Sequence, residues 1–206
     1  IMKSKQTPLE ALFSAIDAGN NRFVEQHVNE DIINRTYDDQ TLLMRAASQG
    51  KTEIVKALIQ KGASVDIQNT EKKTALILAA QQGHYDVVQV LIHNNANVNR
   101  VDTDKKTALM YAAEQGHDQV VKLLLENSAD INASNQNGQT ALFLAAGNGH
   151  DSVVKTLITN TPQVVHKLDN ENKTALMHAL ETSPQETQDR KKQENVAQYL
   201  INHSDI

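Results

Sequence analysis

Apolar and polar positions along the chain repeat in a cycle of 33 residues. One cycle contains a short stretch of small and aliphatic residues, a glycine, a second stretch rich in valine and leucine, and a polar turn. Residues 74–82 are an example of the first stretch. The second begins near Tyr85, and there Val87, Val88 and Leu91 recur at helical spacing. The pattern therefore predicts two short helices in every cycle.

Two independent markers keep this period, apart from one step of 34 residues between Thr140 and Thr174. The triplet Thr-Ala-Leu begins at Thr74, Thr107, Thr140 and Thr174, and a related Thr-Leu-Leu begins at Thr41. The second marker is a glycine at positions Gly50, Gly83, Gly116 and Gly149. The threonine is placed to cap the free amides of the first helix. The glycine supplies the backbone freedom that ends the same helix.

Alanine pairs in each predicted first helix indicate how the helices pack. The pairs are Ala46-Ala47, Ala79-Ala80, Ala112-Ala113 and Ala145-Ala146. Small side chains let neighbouring helices approach closely. Because one helix pair of this size cannot bury both of its faces, stability must come from contacts between neighbouring pairs.

This pattern resembles the ankyrin repeat, whose 33-residue unit carries Thr-Pro-Leu-His near its start. The family's proline is replaced by alanine or leucine, and its histidine by Met44, Ile77, Met110, Phe143 and Met177. We expect apolar contacts at those five positions instead of hydrogen bonds between repeats. The resemblance implies an all-α ankyrin-repeat solenoid of about six helix-turn-helix units with capping ends.

The resemblance also suggests where the units begin and end. We expect one ankyrin repeat domain over residues 1–206, with units at approximately 7–36, 37–69, 70–102, 103–135, 136–169 and 170–206. Thr7-Pro8 is typical of a capped first helical turn. The last unit contains a charged insertion at about 183–194, which an extended helix, a loop or a disordered segment could each explain.

Composition excludes several kinds of chemistry. The chain has no cysteine, so a disulfide framework, a thiolate metal site and a cysteine nucleophile are impossible. Its net charge of -5 comes from acidic and basic residues that are mixed along the chain, and no basic stripe marks a nucleic-acid surface. No apolar stretch approaches the ~20 residues of a membrane helix.

The expected location is cytoplasmic, because the first residues lack the apolar core of a signal peptide. The Thr-Ala-Leu-Met motif and the abundance of Asn, Gln and Lys resemble ankyrin proteins of bacteria. Delivery into a host cell would follow if the protein is a bacterial effector.

Recurrent histidines and turn carboxylates are the candidate chemical sites of the chain. His84, His117 and His150 could form a metal row, but the family resemblance favours a structural hydrogen bond across the turn. The carboxylates in the turns are Asp102, Asp104, Asp130, Asp169 and Glu171, and we expect all five to be solvated. A catalytic pair would need two converging carboxyls with separated pKa values. We therefore expect no enzyme, no metal and no cofactor.

The resemblance implies that another protein binds to a concave surface formed by turn tips and first helices. The candidate binding residues are Tyr37, Asp38, Arg45, Gln49, Glu71, Lys73, Leu78, Gln82, Asp104, Lys106, Tyr111, Gln115, Asn137, Gln139, Leu144 and Asn148. One column of the first helices holds Arg45, Leu78, Tyr111, Leu144 and His178. These side chains either pack between repeats or form a partly apolar strip, in which Tyr111 would be an anchor together with Tyr37.

A second hypothesis assigns the contacts to the insertion at 183–194. The repeats would then act as a spacer, an inhibitor or a regulatory subunit. In either case we expect a monomer that binds a protein and neither nucleic acid nor membrane.

Overall fold

The computed structural model describes residues 6–181 and 187–204, and this part of the chain is mainly α-helical. Its helices follow one another as six pairs. The pairs are α1 Pro8–Asp17 with α2 Asn21–His27, α3 Leu42–Ser48 with α4 Thr52–Gln60, α5 Ala75–Gln82 with α6 Tyr85–His93, α7 Ala108–Gln115 with α8 Asp118–Glu126, α9 Ala141–Gly147 with α10 Asp151–Asn160, and α11 Ala175–Glu181 with α12 Thr187–His203. The predicted all-α repeat architecture is confirmed.

A short β-hairpin and a 3-10 helix accompany the α-helices. A hairpin joins β1 Thr36–Tyr37 to β2 Gln40–Thr41, with Thr36 paired to Thr41 and Tyr37 paired to Gln40. A 3-10 helix, Pro162–His166, follows α10 and packs against it.

The chain divides into two compact units between Asn97 and Val98. In the first unit, α1, α3 and α5 pack in sequence as one layer, and α2, α4 and α6 pack as a second layer. The second unit repeats this arrangement, with α7, α9 and α11 in one layer and α8, α10 and α12 in the other. The first helix of each pair therefore contacts the first helix of the next pair within its unit.

Helix ends have the chemistry that the two sequence markers predict. The hydroxyl of Thr74 accepts a hydrogen bond from the amide of Ile77 at 3.3 Å, and Thr107 caps α7 in the same way. Gly83 and Gly116 end α5 and α7 with φ of 74° and 77°, a conformation that a side chain disfavours. Helix α9 differs, because the buried hydroxyl of Thr140 has no hydrogen-bond partner among the described residues.

The core contains residues from both helices of a pair, such as Ala79 of α5 and Leu91 of α6, which are fully buried. The residues that replace the family's histidine are almost fully buried in four pairs, where Met44, Ile77, Met110 and Phe143 are 1–2% exposed. The expected apolar contacts are therefore present at these positions. Met177 occupies the same position in α11, but it is 47% exposed and makes no comparable buried contact.

Both ends of the chain differ from the central pairs. At the first helix, Thr7 and Glu10 form a capping box around Pro8, as the sequence predicts. In the last pair, residues 187–194 of the insertion form the beginning of α12, while residues 183–186 lie outside the described residues. The side-chain amide of Gln193 donates to the carbonyl of Gly147 at 3.2 Å, so this helix contacts the end of α9.

Candidate functional site

A side chain five residues before the first-helix threonine organises four of the turn tips. The position holds Asn69, Asp102, Asn135 and Asp169 in four successive turns. Its Oδ1 atom accepts the amide four residues later, at distances of 2.8–3.0 Å in the four turns. The residue three positions on has a left-handed backbone in all four, with φ between 59° and 76°. These hydrogen bonds hold each tip in one conformation.

The sequence prediction for two carboxylates is wrong. Asp102 and Asp169 were expected to be solvated, but they are only 3% and 8% exposed. Both are buried because they accept backbone amides inside their own turns instead of pointing to water. Asp104, Asp130 and Glu171 are exposed, as predicted.

Tyr111 completes the turn that Asp102 organises. Its hydroxyl donates to the second oxygen of Asp102 at 2.6 Å, and the side chain is 7% exposed. Burial raises the pKa of Tyr111 and the Asp102 hydrogen bond raises it further, so the phenol keeps its proton. Tyr111 therefore offers little surface to a partner, whereas Tyr37 is 41% exposed.

His178 makes the equivalent contact in the last turn. Its Nε2 atom lies 2.7 Å from the second oxygen of Asp169, and its ring packs edge-on against Phe143. The two turns organised by asparagine have leucine at the matching helix position, namely Leu78 and Leu144. The turn residue is thus aspartate where the first helix carries tyrosine or histidine, and asparagine where the first helix carries leucine. Sequence reasoning missed this pairing, although the Asn/Asp column at a fixed spacing could have revealed it.

The two helix pairs whose tips are organised by Asp102 and Asp169 each contain a further ion pair between the tip and the first helix. The ammonium of Lys106 lies 2.9 Å from both carboxylate oxygens of Glu114 and 5.0 Å from the centre of the Tyr111 ring. Lys173 lies 3.0 Å from Glu181 in α11. Each lysine is partly shielded from water, so these pairs add to the fixation of the tips.

The lowered pKa of Asp169 predicts that the stability of the fold is sensitive to acid. Burial by itself would raise the pKa of Asp169, but hydrogen bonds from His178 and from the amides of Lys173 and Glu171 outweigh it and hold the pKa below its ordinary value. Because the pKa is lower in the folded state, the stabilisation is present above the unfolded-state value of about 4 and is lost as pH falls further. We expect Asp169→Asn to lose less unfolding free energy than the wild type when pH falls from about 5 to about 3.

This prediction can be checked by urea unfolding across that pH range. Asp104→Asn is the matched control, because it replaces an exposed carboxylate of another turn tip by the same amide. Identical pH slopes for the wild type and Asp169→Asn would contradict the prediction.

The recurrent histidines link neighbouring helix pairs. The Nε2 atom of His84 lies 3.0 Å from the carbonyl oxygen of Ser48, and that of His150 lies 2.8 Å from the carbonyl of Glu114. Burial lowers the pKa of His150, which favours a neutral ring that donates from Nε2. The predicted structural role is confirmed for these two, although each bond reaches the preceding pair and does not cross its own turn. The described residues contain no cluster of three His, Asp or Glu that could hold a metal ion.

Some of the candidate binding residues in the first unit lie close together. Arg45 Nε lies 2.9 Å from Asp17, and the amide of Gln49 donates to the same carboxylate at 2.6 Å. Tyr37 lies beside them, with its ring 5.3 Å from that of Phe13. An open groove of about 390 Å³ is lined by Tyr37, Arg45, Asp17 and Phe13, but not by Gln49.

Exposure separates the candidate residues into three groups. Those open to solvent are Tyr37, Asp38, Glu71, Gln82, Asp104, Gln115, Asn137 and Asn148. The half-buried ones are Arg45, Gln49, Lys73, Leu78, Lys106, Gln139 and Leu144, and Tyr111 is buried. The strip along the first helices is therefore only partly accessible to a partner.

Comparison with known proteins identifies the family. None of the described helices is both long and apolar enough to cross a membrane. Curated protein sequences give no match to the chain. The family model for ankyrin repeats (3 copies) matches residues 12–102, 43–135 and 109–206, which together include both units and almost the whole sequence. With this match and the repeated helix pairs, the chain belongs to the ankyrin repeat family.

Proposed function

We propose that the chain binds another protein through the face formed by its turn tips and the exposed ends of its first helices. Ankyrin repeats are generally protein–protein interaction modules. The resemblance predicts that this face is concave. The proposed binding residues are the exposed and half-buried candidates named above, and no catalytic step or cofactor is involved.

The proposal rests on a contrast within the turn tips between a fixed backbone and varied exposed side chains. Buried or half-buried Asn and Asp side chains hold four of the tips in a repeated backbone conformation, while the exposed tip residues differ from turn to turn. A surface that is already ordered loses less conformational entropy when it binds a partner. Fixed tips with varied side chains suit recognition of one particular protein surface.

Affinity capture from a lysate of the source cells, followed by mass spectrometry, tests the binding face. The test variant carries Gln82→Lys, Gln115→Lys and Asn148→Lys, which change the ends of α5, α7 and α9. The control carries Asn94→Lys, Asn127→Lys and Asn160→Lys, which place the same charge at the ends of α6, α8 and α10. All six positions are exposed, so both variants should fold.

We expect the wild type and the control to retain the same protein and the test variant to lose it. Equal retention by all three baits would contradict the assignment of the binding face.

The second candidate function uses the beginning of α12. Arg190, Lys191 and Glu194 are exposed on this part of the helix and extend the last pair beyond the pattern of the others. Changing these three residues to alanine preserves helix propensity. Loss of the captured protein in this variant, with retention by the lysine variant of the first helices, would favour the regulatory-subunit hypothesis.

A further inference from the structure

The last helix pair, α11 and α12, exposes apolar side chains at positions that are buried in the pair before it. Met177 and Leu180 of α11 and Ile201 of α12 are 47–65% exposed. Met177 and Leu180 are three residues apart, so they lie on one side of their helix. Ile201 ends the apolar stretch that begins at Val196 in α12.

The corresponding side chains of α9 and α10 are Phe143, Ala146 and Ile158. They are at most 2% exposed, and the helices packed beside α9 and α10 are α11 and α12. The three exposed side chains of the last pair are therefore the uncovered counterpart of an interface that the fold already uses between helix pairs. We call Met177, Leu180 and Ile201 the terminal apolar surface.

This surface is unusual for the end of a repeat array in water, where a polar outer face is needed for solubility. The alanine pair of the four preceding first helices becomes Ala179-Leu180 in α11. A leucine at this position keeps a further first helix from approaching as closely as in the other pairs. The undescribed residues 182–186 are Thr-Ser-Pro-Gln-Glu, which contain no aliphatic or aromatic side chain apart from the proline ring. The occupant of the surface is therefore neither an ordinary further repeat nor this polar segment.

The part of α12 that carries Ile201 has no ionised side chain. Residues 195–203 contain no Asp, Glu, Lys or Arg, whereas each aligned stretch contains at least one, namely 53–61, 86–94, 119–127 and 152–160. One of these charges, Lys155 of α10, faces the next pair, because its ammonium lies 5.7 Å from the centre of the Tyr199 ring. Its counterpart in α12 is Gln198, whose amide donates to Asn202 at 3.0 Å.

On α11, Glu181 follows Leu180 and is the nearest charge along that helix. The ammonium of Lys173 lies 3.0 Å from Glu181, but it also lies 3.0 Å from Glu171. The edge of the surface therefore has one carboxylate in excess. Salt screens such a charge, so salt should not weaken an association between two identical surfaces of this kind.

We propose that the terminal apolar surface binds the same surface of a second copy of the chain and so forms a symmetric dimer. Across a two-fold axis one patch meets the identical patch, so an apolar surface with few charges is complementary to itself. Among the described residues, α1 and α2 contain no exposed large hydrophobic side chain that could bind it instead. The contact therefore closes at two copies. The proposal replaces the monomer expected from sequence and does not depend on the proposed binding face.

Analytical ultracentrifugation of the full chain from about 1 µM to about 1 mM tests the proposal. The variants are Leu180→Lys and Leu180→Glu, which place a charge in the middle of the surface. Val101→Lys is the control, because it makes the same change at an exposed aliphatic side chain outside α11 and α12. Circular dichroism should show that all three variants remain folded, since both positions are exposed.

We expect the wild type and Val101→Lys to have the 22.8 kDa mass of one chain at the lowest concentration and to approach twice that mass at the highest. Each Leu180 variant alone should have a dissociation constant at least about tenfold higher. An equimolar mixture of the two should recover association, because lysine on one copy then lies near glutamate on the other. Added salt should not weaken the association of the wild type.

A wild type that keeps the mass of one chain at every concentration would overturn the proposal, and so would equal association of the wild type and Leu180→Lys. A mass that rises beyond two copies would show an open contact and contradict the symmetric dimer. If the wild type stays a single copy while affinity capture with Leu180→Lys loses a protein that the wild type retains, the surface binds a different protein and its assignment to a second copy is wrong.

Discussion

Replacing Phe143 with alanine is expected to lower the free energy of unfolding by about 3–5 kcal/mol. The ring is 2% exposed, lies in the layer where α9 packs against α11, and contacts His178 edge-on at 5.4 Å between ring centres. Its removal leaves a cavity that the surrounding alanine-rich helices cannot fill without moving. Chemical denaturation followed by circular dichroism would measure the loss.

Met177→Ala is the matched control, because Met177 occupies the equivalent position of α11. Its side chain is 47% exposed, so truncation should change the unfolding free energy by no more than about 0.5 kcal/mol. Similar losses for the two variants would show that the repeat position, and not its burial, determines the effect.

Asp102→Ala is expected to cost about 2–4 kcal/mol, because one carboxylate satisfies three donors. These are the amides of Asp104 and Lys106 and the hydroxyl of Tyr111. Without the acceptor, the buried hydroxyl loses its hydrogen bond to Asp102 and the left-handed turn at Lys105 loses its support. The measurement is again chemical denaturation.

Two other variants separate the role of the carboxylate from simple loss of charge. Asp104→Ala removes an exposed carboxylate from the same tip and should change stability by less than about 0.5 kcal/mol. Asp102→Asn keeps an oxygen that can accept the two amides, so its loss should be smaller than that of Asp102→Ala. If Asp102→Ala and Asp104→Ala are equally stable, the proposed fixation of the tip is wrong.

The helix pairs could be predicted from sequence because their determinants are local. The caps at Thr74 and Thr107 and the helix-ending Gly83 and Gly116 act on amides and carbonyls a few residues away. Each signal also recurs with the period, so agreement between units strengthens the prediction for all of them.

Burial of particular side chains could not be predicted in this way. Met177 follows the same Thr-Ala-Leu triplet as Phe143, yet its exposure differs because burial of this position depends on the helix that packs over it. Asp102 was misassigned for a related reason. A carboxylate in a polar turn is usually solvated, and only the folded turn brings two amides and a hydroxyl to the same side chain.

The candidate site could be predicted only as a set of positions. The repeat pattern identifies tip and first-helix residues, but it does not distinguish the exposed Tyr37 from the buried Tyr111.

Hydrogen–deuterium exchange of the chain, with and without the protein that it captures, tests the central claim most directly. The proposed function predicts slower exchange in the tips around residues 69–73, 102–106 and 135–139 and at the ends of α5, α7 and α9, with little change in α6, α8 and α10. Protection confined to the second helices, or to residues 187–203 of α12, would contradict it.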